Sequence, residues 1–269
     1  MQRRALARTP GIAALLTRCC AVSVVAVVTC SLGGCARYPA TVQGTTPSLL
    51  LVTMQLRGQI NPAYYYFVAL QASPTTSAQD AHPESGPFAI VQADQGVSGW
   101  GNGWGAGKIT DYVLFHNNQA TQFTVNCSNL SACPANVAAG GQAIGPPFST
   151  FVSSGGGTGG ANSLVVAVDL SKLGLNGTAA GTSTTGARPI PGGVVVNTIT
   201  TDHLETVVTN PPKPVDSLDQ GGMLPPLVDT HQSKIINITP PGGVLFPNSS
   251  VITDDLQLTQ VTLEVRLPQ

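Results

Sequence analysis

The chain has 269 residues, with 12 Lys and Arg against 13 Asp and Glu and a formal net charge of −1. Charged residues make up only 9% of it, which excludes the basic face that a nucleic-acid partner needs. Gly (30) and Pro (21) recur throughout, no long amphipathic helical pattern is present, and the length suffices for a substantial core in one large β domain or two small ones.

The first segment is an export signal rather than fold. Arg3, Arg4, Arg8 and Arg18 precede an apolar run, AVSVVAVV over 21–28, that is too short to span a bilayer comfortably. Leu32-Gly33-Gly34-Cys35 follows, and it resembles the lipobox of bacterial lipoproteins. That resemblance implies cleavage before Cys35, diacylglycerol on its sulfur and a further acyl chain on its amine. Several chains on one residue hold a domain to a membrane stably, where one would not. Ala36 stands where an Asp would mark inner-membrane retention, so the resemblance implies a cell-envelope protein at the outer membrane or cell surface. The chain then divides into a signal over 1–34, a lipidated tether over 35–48 and a β-sandwich over 49–269. Removing the first 34 residues takes four of the 12 basic residues and none of the 13 acids, leaving a charge near −5.

Cys19, Cys20 and Cys30 belong to the signal, which leaves Cys127 and Cys133. Outside the cytoplasm, two cysteines separated by five residues predict a disulfide closing a small loop. Without a neighbouring histidine pair they make a poor zinc site.

The elements follow in chain order. LLLVTMQLR, 49–57, predicts a first strand with Leu50, Val52, Met54 and Leu56 on one face. AYYYFVALQA, 63–72, predicts a second strand. It is apolar on both faces at its start, so it is expected to be central and to form a hairpin with the first. A short strand is expected at Phe88–Gln92, and a second hairpin at Ile109–His116 and Ala120–Asn126 around Asn117-Asn118-Gln119. The stretch from Cys127 to 160, ending in SSGGGTGG, has no periodicity and is expected to be loop. LVVAVDL, 164–170, predicts a buried strand, and Ser171–Leu175 a single helical turn. Strands are expected at Val194–Thr200, Leu204–Thr209 and Lys234–Ile238, with a long Pro-rich loop over 211–231. In the last strand, Asp255–Leu267, the apolar phase changes between Leu258 and Val261. A β-bulge near Thr259-Gln260 would keep Leu256, Leu258, Val261, Leu263, Val265 and Leu267 on the core side. The fold class expected is all-β: a single antiparallel β-sandwich, jelly-roll or immunoglobulin-like, with long Gly/Pro-rich loops.

GWGNGWGAGK, 99–108, holds both tryptophans. It fails as a phosphate loop, because Ile109 follows Gly107-Lys108 where a hydroxyl is needed and a strand follows where a helix is needed. If it is extended, Trp100, Asn102 and Trp104 share one side, and two indoles with an amide between them suit a sugar ring. The other reading places the rings over the end of the core on a glycine-permitted loop, with at least one mostly buried. Tyr64-Tyr65-Tyr66 reads as strand packing. The histidines (82, 116, 203, 231) form no metal motif, and Thr201-Asp202-His203-Leu204-Glu205 supplies only part of a ligand set. Asp216, Asp219, Asp254 and Asp255 lie in expected loops without the spacing of a calcium site. Gly96-Val97-Ser98-Gly99-Trp100 misses the nucleophile-elbow pattern by its last glycine. No catalytic residue is therefore nominated. Five Asn-x-Ser/Thr sequons reflect Ser/Thr/Asn-rich loops.

NSLVVAVDLSKLGLNG (162–177) and VVVNTITTDHLE (194–205) resemble the strand–turn–strand section of DOMON-like and carbohydrate-binding β-sandwich modules. The resemblance implies a sandwich and a sugar or haem ligand. Met54, Met223 and the histidines show no paired arrangement for haem, so no cofactor is expected. Two functional readings remain. One is a lipid-anchored, non-catalytic β-sandwich that binds glycan or protein or serves structurally. The other is an envelope hydrolase with catalytic residues carried on loops.

Overall fold

A computed structural model describes residues 47–73, 75–81, 83, 87, 109–125, 141–153, 160–173, 190–202, 215–220, 223–244 and 252–268. Residues 45–269 form one unit, built as two antiparallel sheets packed face to face, the sandwich expected of the sequence. The first sheet has five strands in the order β11 (Ile235–Ile238), β12 (Leu258–Arg266), β1 (Leu49–Leu56), β7 (Ser163–Asp169) and β6 (Ser149–Ser153). The second runs β10 (Leu227–Asp229), β8 (Gly193–Thr201), β2 (Tyr65–Ala72), β3 (Asp111–His116), β4 (Gln119–Val125) and β5 (Gly141–Gly145). A twelfth strand, β9 (Val215–Ser217), also pairs with β8.

Strand alternation builds the core. Leu50, Val52, Met54 and Leu56 of β1 face Tyr66, Val68 and Leu70 of β2 across the interior, and all are buried. Val194 and Val196 of β8 and Val261, Leu263 and Val265 of β12 complete the layer. The phase change in the last strand resolves as expected. Gln55 pairs with Gln260 and Leu56 with Leu258, so Thr259 is the extra residue of a bulge and Leu258 stays buried. Leu256 is buried just before the strand, and Leu267 packs against the core just after it.

β1 and β2 are not a hairpin. They lie in different sheets, and residues 57–64 carry the chain across the roughly 10 Å between layers. Each strand is central and takes both neighbours from its own sheet, β12 and β7 for β1, β8 and β3 for β2. The connection is pinned where it crosses. Gly58 N–H donates to Asp254 O (2.7 Å) and Gln59 N–H to Asp255 Oδ1 (2.7 Å). The buried Tyr66 hydroxyl accepts from Asn61 N–H (2.9 Å) and donates to Asp255 O (3.1 Å).

The β3–β4 hairpin forms as expected, with a tighter turn. Asn117 and Asn118 both have positive φ (52° and 60°) and alone connect His116 to Gln119, the signature of a type I′ turn that asparagine tolerates. The helical turn after β7 is a 3-10 turn at Leu170–Lys172, capped by the Asp169 carboxylate, which accepts from Ser171 N–H (2.9 Å).

Two expected loops contain strands. Within 127–160, β5 pairs with β4 and β6 with β7. Both run in the same sense, joined by 146–148, so one edge strand leaves the second sheet and enters the first. Gly145, at φ +119°, makes that departure possible. Polar, glycine-rich edge strands have little apolar alternation, so their sequence looks like loop. Within 211–231, β9 and β10 pair successively with Thr201–Ile199 and Val195–Gly193 of β8. They are two halves of one interrupted edge strand. The expected strands at Phe88–Gln92 and Leu204–Thr209 lie outside the described residues.

Candidate functional site

The six residues singled out from sequence, Cys35, Trp100, Asn102, Trp104, Cys127 and Cys133, lie outside the described residues. His82 and His203 do too. Tyr66 fills the core, Tyr65 stacks on His116 on the opposite face of the sheet (centroids 3.9 Å, planes 8° apart), and Tyr64 receives Ile252 N–H at its hydroxyl (3.2 Å). The triplet is therefore strand packing. Burial raises the Tyr66 and Tyr112 hydroxyls above their ordinary titration range.

Asp216 is not on a loop. It sits on β9 with its side chain turned inward, fully buried. Oδ1 accepts from Ser217 N–H and Oδ2 from Leu258 N–H, each at 2.8 Å. The second bond crosses to β12 in the other sheet. Next to it, Thr200 Oγ1 donates to Leu256 O (2.6 Å). Burial raises the Asp216 carboxyl from 3.8 to about 6, and the two backbone N–H groups oppose that rise. Both carboxylate oxygens are committed to the backbone, so Asp216 ties the sheets together and is not presented to a substrate.

The outward face of the second sheet carries its own apolar cluster. Phe67, Ala69, Ile109, Tyr112 and Ile199 are buried there, and Tyr112 stacks on Phe123 (4.6 Å, 9°). Beside it, Asn197 Nδ2 donates to Pro87 O and to Asp219 Oδ1 (2.8 Å each), while its Oδ1 accepts from Leu218 N–H (3.2 Å). One satisfied amide thus holds three chain segments together.

The corner between β5 and β6 is different. Gln122 on β4 pairs with Gly145, the last residue of β5, and its register with Val113 turns its side chain into the interior. It is 1% exposed, yet among the described residues neither Oε1 nor Nε2 meets a hydrogen-bond partner. Thr150, the second residue of β6, pairs with the inward-facing Val166, and its buried Oγ1 also lacks a partner among the described residues. Asp111 and Thr124 stand on the same inner face as Gln122, two pairs further along the β3–β4 ladder. A buried polar atom without a partner costs about 1–3 kcal/mol, so the Gln122 amide and the Thr150 hydroxyl each carry such a cost.

β5 covers β4 only from Gln122 to Val125, leaving the edge at Gln119–Thr121 uncovered by it. Across the interior, Val152 faces inward on β6 but is 37% exposed. Among the described residues no strand pairs with Gln119–Thr121 on that edge, and Gln122 and Thr150 stand on the inner faces of the two sheets. Phe148 and Phe151 stand exposed, at 45% and 46%. Sequence reasoning missed this site because a lone Gln on a strand gives no motif. Its signal is three-dimensional: an amide on the apolar face.

Among the described residues no three His, Cys, Asp or Glu side chains gather to hold a metal, and no helix is long and apolar enough to cross a membrane. Compared with family models, curated proteins and solved structures, the chain gives no match.

Proposed function

We propose that the protein is a lipid-anchored β-sandwich of the bacterial cell envelope that binds a glycan without catalysing a reaction on it. The observation that carries the anchoring is Leu32-Gly33-Gly34-Cys35, placed after an apolar run and only 14 residues before Leu49, where β1 begins. A short polar tether between lipidated cysteine and domain gives that spacing a purpose. Two observations support binding of an uncharged partner: the charge-poor chain and the Trp100-Asn102-Trp104 pattern. The partial resemblance of 162–205 to carbohydrate-binding sandwiches points the same way. Asp216, the described carboxylate with a raised titration range, is spent on backbone N–H groups, so the hydrolase reading gains nothing from it.

Metabolic labelling with a palmitate analogue is expected to tag the wild-type protein and place it in the membrane fraction. Cys35→Ser should lose both label and membrane retention. Label surviving in that variant would defeat the anchoring.

A further inference from the structure

We infer that β6, the outer strand of the five-stranded sheet, pairs antiparallel with β6 of a second copy of this chain, across a two-fold axis at Phe151. The two sandwiches then share one continuous sheet of ten strands, five from each copy. The inference is independent of the lipid anchor and of glycan binding.

An outer strand presents a row of unpaired backbone N–H and C=O groups, and proteins guard such rows with charges, bulges or short, broken strands. The other margins of this sandwich are guarded in those ways. β11 has four residues and follows Lys234 directly. The margin made by β9 and β10 is interrupted and carries Asp229. β5 shifts register opposite Gln122 and Phe123 and ends at Gly145, with its positive φ. β6 has no such device. It holds register with β7 over all five residues, Ser149–Ser153, and among the described residues no strand takes its other side. Its surroundings in sequence are bare as well, because no Asp, Glu, Lys or Arg occurs from residue 112 to residue 168. A two-fold contact sets a patch against itself, so any charge in it meets its own sign. A charge-free margin is the one that can meet its copy without repulsion.

The side chains of β6 fit that copy. STFVS is nearly the same read in either direction about Phe151. A two-fold axis normal to the sheet keeps inner faces with inner faces, so Phe151 meets Phe151 of the second copy on the outer face. Thr150 then meets Val152 on the inner face, and Ser149 meets Ser153 on the outer. Aromatic, β-branched and hydroxyl pairs of this kind stabilise antiparallel ladders. Exposure agrees: Phe151 stands in solvent, and Val152 is exposed although it points to the inner face, where one more strand would cover it. Phe148, exposed one residue before the strand, adds apolar surface at the same margin. Five residues a side is small beside the roughly 20–30 of a stable interface, so the association is weak and rises with concentration.

The full chain would be purified in detergent, with micelles in large excess over protein, and its mass followed by sedimentation equilibrium as concentration rises. The wild type should pass from monomer to dimer. Phe151→Lys and Phe151→Glu each place like charges at the axis and should weaken dimerisation at least tenfold, and an equimolar mixture of the two should restore it. Phe151 is half-exposed, so circular dichroism and melting temperature should match wild type in both variants. A wild type that stays monomeric up to about 300 μM, well above the concentration that even a weak specific dimer needs, would overturn the self-pairing and leave the margin to a different partner. A dimer undiminished in both variants would place the contact elsewhere and also overturn it. Folded variants whose mixture stays monomeric would overturn the axis at Phe151.

Discussion

Asp216 shows how one buried carboxyl writes a pH dependence into the fold. In the folded protein it titrates near 6, raised from 3.8, so between those values the native state holds a proton that the unfolded chain has released. The stability this group contributes is fully present below pH 3.8 and is lost as pH rises through about 6. Urea unfolding at pH 4 and pH 7 should therefore show a component on the order of 2–3 kcal/mol favouring the acidic side, superimposed on the other carboxylates. Asp216→Asn cannot titrate, so the difference between the two pH values should shift by that amount relative to wild type. An unshifted difference would mean that the carboxyl is not desolvated. Gly145 makes a second demand of one residue. A Cβ there would touch nothing within 4 Å, but φ is +119°, so Gly145→Ala should cost about 1–3 kcal/mol through backbone strain alone. Gly192 is the opposite case, since its Cβ would run into the Thr76 carbonyl.

At the scale of the element, β12 tests the bulge. Thr259 is the extra residue opposite the Gln55–Leu56 step, and its hydroxyl donates to Gln55 O (3.1 Å). Deleting Thr259 leaves Gln260 facing out and Leu258 facing in, so the strand should straighten with a loss of under about 2 kcal/mol. Deleting Thr262 instead turns Val261 outward and Gln260 inward, and soluble folded protein should not be recovered; circular dichroism and expression yield would read both variants. The bulge was legible because six apolar residues, from Leu256 to Leu267, declare their side across a phase change. β5 and β6 were not, because GQAIG and STFVS are edge strands with few apolar residues turned to the core. Partner choice was hidden as well. β1 and β2 have the alternation of a hairpin, and nothing in GQINP reveals that the chain crosses between layers. The polar site was hidden for the same reason: Gln122 becomes unusual only once register sets it beside Val113 and Gly145.

The whole molecule is two sheets joined at one side by a strand that switches layers and at another by Asp216 and Thr200. Five- and seven-stranded layers with every described ladder antiparallel explain why the sequence class was recoverable from composition while the strand order was not. The position of β1 carries a mechanical meaning. Residue 48 leads into the middle of the five-stranded sheet, where Leu49 pairs with Arg266 on one side and Asp169 on the other, and Ser48 O accepts from Leu170 N–H (3.0 Å). A load applied at residue 48 therefore meets two hydrogen-bonded ladders at once and cannot peel away a single margin. Resistance to such a pull is a matter of the unfolding rate rather than of equilibrium stability. A domain pulled from residue 48 is thus held by its best-supported strand, and the marginal strands β11 and β6 of that sheet are not the first to bear the load.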